Sequence, residues 1–188
     1  MLKNLFKLTL LFVSLFLIIF FINYVKVIHF EKSILKKIDS QIGGKVEIFG
    51  ETKRFIKNGG NNVYFMPSLK SDKNNLKLVY LINFDCSFCI ANLAGIYKFY
   101  KGLQNIQQID FCLITEEKSD SYIKYWLDQV LKNYDLLVIR QQMSHGSSTL
   151  FLLDKTNKII MAGDIIKYPF LKSFYIKRLR EAKTQSNN

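Results

Sequence analysis

Two cysteines, Cys86 and Cys89, stand at the joint between two different hydrophobic periods. Ahead of them, residues 76–84 read LKLVYLINF, a short apolar run rich in strand formers and suited to a buried central strand. Behind them, Ile90, Leu93, Ile96, Tyr97 and Tyr100 follow a helical stripe through residues 86–103. A chain that passes from strand to helix at a CxxC pair sets both thiols at a helix start. That is a narrow constraint.

The rest of the chain is consistent with it. Residues 109–115 (IDFCLIT) read as a second strand, and residues 119–134 as a second helix with Ser119 as N-cap. Residues 136–140 (LLVIR) read as a third strand. Residues 149–154 (TLFLLD) and 158–163 (KIIMAG) flank Lys155-Thr156-Asn157, a hairpin signal. Residues 169–182 form a closing helix with Pro169 at or near its first turn. Alternating strands and helices predict a layered α/β domain, and the late hairpin makes its central sheet mixed, flanked by helices. Residues 45–56 alternate enough for one or two lead-in strands, while residues 58–62 and 71–75 read as turns or loops. No internal repeat is present.

Residues 8–25 form an uncharged stretch of 18 residues, with Thr9, Ser14 and Asn23 among its few polar positions. As a helix it rises about 27 Å, close to the hydrocarbon thickness of a bilayer. Lys3 and Lys7 precede it and Lys26 follows. No small-residue cleavage pattern and no nearby cysteine for lipidation follow it, so an uncleaved signal-anchor is expected. The organisation expected is an anchor at 1–26, a stalk with lead-in strands at 27–60, the α/β domain at 61–183 and a polar tail at 184–188. Lysine counts on the two flanks do not favour export of the domain. Redox logic does, because a dithiol domain makes chemical sense where disulfides persist. The expectation is a single-pass membrane protein with its domain on the outer, periplasmic face.

The net charge is +12. The cations are mostly lysines scattered along the chain, without the Arg- and Gly-rich blocks interleaved with aromatics that grip nucleic acid. Nucleic acid is therefore not an expected partner. Solvated lysine faces are the reading, with weak attraction to anionic headgroups a secondary one. At 49% hydrophobic and 14% aromatic residues, the chain is not intrinsically disordered.

From residue 76 to 179 the chain resembles the membrane-anchored or exported thioredoxins of the TlpA-like group. The marks are LVYLINFDCSFC for the strand and active-site turn, and STLFLLDKTNKIIMAG for the late hairpin. The resemblance implies a thioredoxin-like fold. It also implies a redox-active disulfide at Cys86 and Cys89 with no bound cofactor, disulfide-bearing protein substrates, and an electron donor that the sequence does not identify.

The chemistry of the residues agrees. A thiolate is the attacking species in exchange, and a helix N-terminus favours it through unpaired amides and the macrodipole. Cys86 is then the nucleophile, and Cys89, one turn on and more buried, resolves the mixed disulfide. The product is a thiol–disulfide oxidoreductase, in the reducing direction. Zinc would need a second ligand pair. Cys112, inside a strand, reads as core packing, and His29 beside the apolar segment as interfacial.

Two positions depart from the family pattern. Asp85 stands where tryptophan is usual, and its charge opposes thiolate formation. Ser148 stands where the family has a cis-proline, so Ser147 and Ser148 take the place of the substrate-docking segment. His145 just ahead of them suggests a second reading, a Sco-like copper chaperone with Cys86, Cys89 and His145 as a soft ligand set. That family spaces its cysteines by three residues rather than two. A third reading is a non-catalytic adaptor on the same fold.

Overall fold

The computed structural model describes residues 2–46, 52–57, 64–67, 75–116, 118–141 and 150–185. It divides into two compact units, Met1–Ser40 and Gln41–Asn188.

The first unit is one helix, α1 (Leu2–Asp39). Leu11, Phe12, Val13, Phe16, Leu17 and Ile18, which together cover its circumference, are all exposed. A helix that is apolar all round is suited to lipid or to a large core, and the apolar stretch of this one is not buried within the protein. It is long and apolar enough to cross a membrane. The stretch expected as a separate stalk continues the same helix through Lys26, Lys32, Lys36 and Lys37 to Asp39. Leaving the apolar zone does not end it, because Glu, Lys and Leu are all good helix formers. The turn comes at Gly43, whose φ of 91° suits only glycine.

The second unit is built on a seven-stranded mixed sheet in the order β2-β1-β5-β4-β3-β6-β7. Its strands are β1 (Thr52–Lys57), β2 (Tyr64–Pro67), β3 (Leu76–Leu81), β4 (Ile109–Thr115), β5 (Tyr134–Arg140), β6 (Leu150–Leu153) and β7 (Ile159–Ala162). Strands β3, β4 and β5 are parallel, and the other neighbours pair antiparallel. Parallel neighbours need crossovers, which α2 (Ser87–Gln104) and α3 (Asp120–Val130) supply; α4 (Leu171–Gln185) follows the hairpin. Strand β2 has no counterpart in the sequence reading. Four residues ending in proline are too few to show a period, and proline fits such a strand because, among the described residues, only its inner edge is paired.

The core lies on both faces of the three parallel strands. Leu78, Val79 and Leu113 are fully buried, which is why residues 76–84 read as continuous rather than alternating. Phe111 on β4 receives the stacked ring of Tyr100 and the edge of Tyr97 from α2. Burial of one such ring contributes about 1.5–3 kcal/mol. Lys77, the second residue of β3, is buried, yet its Nζ donates to Asn157 Oδ1 at 3.1 Å. Its stem fills apolar space and its charge finds a polar partner.

The hairpin of β6 and β7 is set by Asp154. Its Oδ1 accepts from the Thr156 N–H (2.8 Å), the Thr156 hydroxyl (2.8 Å) and the Lys158 N–H (2.9 Å), while Asn157 takes φ 63°. Residues 43–46 then run along the outer side of the hairpin. Gly43 N–H donates to Ile159 O (2.9 Å), Ile159 N–H to Gly44 O (2.8 Å) and Val46 N–H to Asn157 O (3.0 Å).

Candidate functional site

After β3 the Ile82 N–H donates to Ile114 O at 2.9 Å, so the chain leaves the sheet still tied to β4. Asn83 makes the turn. Its side-chain oxygen accepts from the Asp85 N–H at 2.8 Å and its carbonyl accepts from the Cys86 N–H at 3.1 Å. Such a doubly bonded asparagine fixes the backbone at the residue before the first cysteine.

Cys86 is the N-cap of α2, in extended conformation (φ −99°, ψ 103°). Its Sγ accepts from the Cys89 N–H at 3.2 Å, and its carbonyl accepts from the Ile90 N–H at 3.1 Å. The sulfur thus takes the position that Ser or Asp holds at most helix starts. A negative charge on it meets the Cys89 amide and the positive end of the helix dipole. Cys86 is partly exposed while Cys89 is buried. The pair is closed as a disulfide, with Cα atoms 5.2 Å apart. Between them Phe88 is two-thirds exposed, an unusual place for a large ring.

The helix start is also held from below. The Tyr80 hydroxyl, buried in β3, donates to Cys89 O at 3.2 Å. Sequence reasoning took Tyr80 only as a strand former.

Asp85 is exposed but not alone. Lys118 Nζ lies 2.6 Å from its Oδ2, and the Tyr122 hydroxyl lies 3.1 Å from its Oδ1 and 3.4 Å from Phe84 O. The Lys118 contact first, and the Tyr122 contact second, hold the carboxyl below the usual range, and Asp85 in turn raises the Lys118 ammonium. The charge beside Cys86 is therefore an opposed one, where the sequence alone suggests a bare one. Lys118 precedes Ser119, which caps α3 by accepting from the Tyr122 N–H at 3.3 Å. The next residue, Asp120, accepts from Lys53 (2.7 Å) and from Arg140. The sequence does not single out Lys118; only the parallel order of β3 and β4 brings its segment here. Parallel strands end on the same edge, so the segments after β3 and β4 are bound to meet.

Cys112 lies in mid-β4, fully buried. Burial, with Asp110 adding to it, pushes its thiol up to about 12. His145, Ser147 and Ser148 lie outside the described residues, as does Thr149 at the expected start of the late hairpin. Among the described residues, no three His, Cys, Asp or Glu side chains are grouped to hold a metal.

No protein-family model matches the sequence, and no curated protein matches it. Solved structures do. A protein assigned as a disulfide isomerase from Bacteroides thetaiotaomicron superposes with a TM-score of 0.54 at 12% identity, over 78% of this chain and 95% of its own. AhpC of Mycobacterium tuberculosis gives 0.49 at 13% identity, over 72% and 97%. The thioredoxin domain of a thiol-disulfide oxidoreductase from Bacteroides vulgatus gives 0.48 at 13%, over 71% and 96%. At such identities the likeness is one of fold, and the first of these carries it. The α/β unit has a thioredoxin-like fold with a disulfide-bonded CxxC pair at its first crossover helix.

Proposed function

We propose, starting from a thioredoxin-like fold that presents a CxxC pair at a helix start, that this protein is a membrane-tethered thiol–disulfide oxidoreductase. Its task is to reduce disulfides of exported proteins. The observation that carries this reading is the Cys86 sulfur at the N-cap of α2, accepting the Cys89 amide at 3.2 Å.

In the reduced protein the Cys86 thiolate attacks one sulfur of a substrate disulfide. That S–S bond breaks, a mixed disulfide forms, and the departing substrate sulfur takes up a proton. Cys89, losing its own proton, then attacks Cys86 Sγ, and the second substrate thiol leaves. Two electrons have moved to the substrate and the Cys86–Cys89 disulfide remains. A dithiol donor on the same side of the membrane returns the two electrons. Helix α1 serves as the tether, with the domain on the outer face.

Two experiments test the reading on the full chain in detergent. Titration against a glutathione redox buffer should give one two-electron transition, lost in Cys86→Ser. In cells, Cys89→Ser should accumulate covalent complexes that dissolve on reduction. A chain that shows neither behaviour is not an oxidoreductase, and stoichiometric copper retention lost in His145→Ala would favour a metal chaperone instead. A compartment-sensitive reporter fused at the C-terminus decides the orientation; signal from the cytoplasmic side would refute the outer-face assignment.

A further inference from the structure

We propose that Lys118 is a positioning residue that sets the dithiol–disulfide balance of Cys86 and Cys89 by holding the neighbouring Asp85 carboxylate in an ion pair, with Tyr122 as the second support. The inference rests on the oxidoreductase reading and adds what tunes it.

Three observations carry it. Asp85 is adjacent to Cys86, so its charge lies within a Debye length of the sulfur and a free carboxylate there disfavours the thiolate. The Asp85 backbone is fixed by Asn83 on one side and the capped Cys86 on the other, which leaves only the side chain free to choose a direction. Each carboxylate oxygen meets one donor, Lys118 Nζ at 2.6 Å and the Tyr122 hydroxyl at 3.1 Å, both on the segment that follows β4.

The donors are themselves anchored. Tyr122 gives its amide to the Ser119 cap, the Lys118 ammonium lies 5.6 Å from the Tyr122 ring centre, and Asp120 binds Lys53 and Arg140. The clamp therefore belongs to α3 and the sheet, and the charge it holds belongs to the active-site turn. Helix α2 supplies the field that favours the thiolate, and the clamp keeps a competing field directed elsewhere.

The relevant equilibrium is the Cys86–Cys89 disulfide plus two glutathione thiols giving the protein dithiol plus one glutathione disulfide. Without Lys118 the carboxylate is free to turn toward the sulfur, the reduced form loses stabilisation and the disulfide is favoured. Lys118→Met, which keeps the apolar stem, should shift this equilibrium constant about three- to tenfold toward the disulfide, or about 15–30 mV. Tyr122→Phe should shift it the same way by about twofold, in line with its weaker, neutral contact.

Measured on the full chain in detergent at pH 7, three controls separate positioning from general damage. Lys118→Arg should restore the wild-type constant. Raising the salt should return Lys118→Met toward wild type, since a bare charge is screened and a packing defect is not. In an Asp85→Asn background, Lys118→Met should have an effect below twofold. A Lys118→Met constant within twofold of wild type, or the same shift in both backgrounds, overturns the inference and leaves the oxidoreductase reading standing. Absence of any two-electron transition in the wild type removes both.

Discussion

Cys86 and Cys112 are the same chemical group set in two opposed backbone surroundings, one at a helix start and one inside a strand. Cys112 lies in the middle of β4, between β3 and β5, where the neighbouring strands use the backbone amides for pairing. Burial first, and the nearby Asp110 charge second, push its thiol up to about 12, with Lys77 opposing them. Cys86 lies where a strand has ended and a helix has not yet closed its first turn, so the Cys89 amide donates to the sulfur rather than to a backbone carbonyl one turn back. On the function proposed above, where the first-turn amides of the helix point decides which thiol does chemistry.

That contrast is easiest to break by labelling. In the reduced protein at pH 7, a small alkylating agent should modify Cys86 at least about 100-fold faster than Cys112, because attack needs thiolate and access together. Equal rates would end the comparison. Disulfide reduction should fall to background in Cys86→Ser and stay within about twofold in Cys112→Ala.

Alkaline titration sharpens it next. Below the ordinary cysteine value of 9.0 the Cys112 thiol is protonated in folded and unfolded chains alike. Above it the unfolded chain releases the proton and the folded chain keeps it, until about pH 12. Stability should therefore fall across that window by about 1.4 kcal/mol per pH unit relative to a Cys112→Ala variant, both carrying Cys86→Ser and Cys89→Ser. Urea melts at pH 7, 9 and 10.5 read this directly; parallel pH curves for the two proteins would show that Cys112 is not buried as described.

Smaller effects follow. Cys112→Ser places a hydroxyl without a partner in the sheet core and should cost about 1–3 kcal/mol at pH 7. Tyr80→Phe removes the buried hydroxyl that holds Cys89 O and should cost about 0.5–1.5 kcal/mol. A Tyr80→Phe melt superimposable on wild type would remove Tyr80 from the account of the helix start.

Elements with a period longer than a turn were legible in the sequence. Strand β4 spans Ile109–Thr115 as its apolar run predicts, and Ser119 caps α3 as expected. Helix α2 starts one residue later than its apolar stripe suggests, because Cys86 itself is the cap. Helix α3 was expected to reach Tyr134 but stops at Val130. The reason is tertiary: Tyr134 is drawn into β5 opposite Lys57, buried, with its hydroxyl donating to Asp128 at 3.0 Å. Nothing local in residues 131–134 announces that. The CxxC pair and its helix were legible for the same reason that β4 was, a change of hydrophobic period at a fixed point. Lys118 and Tyr122 were not, since their link to Asp85 exists only once β3 and β4 lie side by side.

The short run of residues 43–46 has a bearing on how the α/β unit survives apart from its helix. The outward amide and carbonyl of Ile159, at the head of β7, are already taken by Gly44 and Gly43. A protease that nicks the chain between Ser40 and Gln41 leaves this cover in place, and the liberated unit keeps that part of its margin satisfied. A nick a few residues later, beyond Val46, strips it away and uncovers a strand margin of the kind that recruits other chains into aggregates.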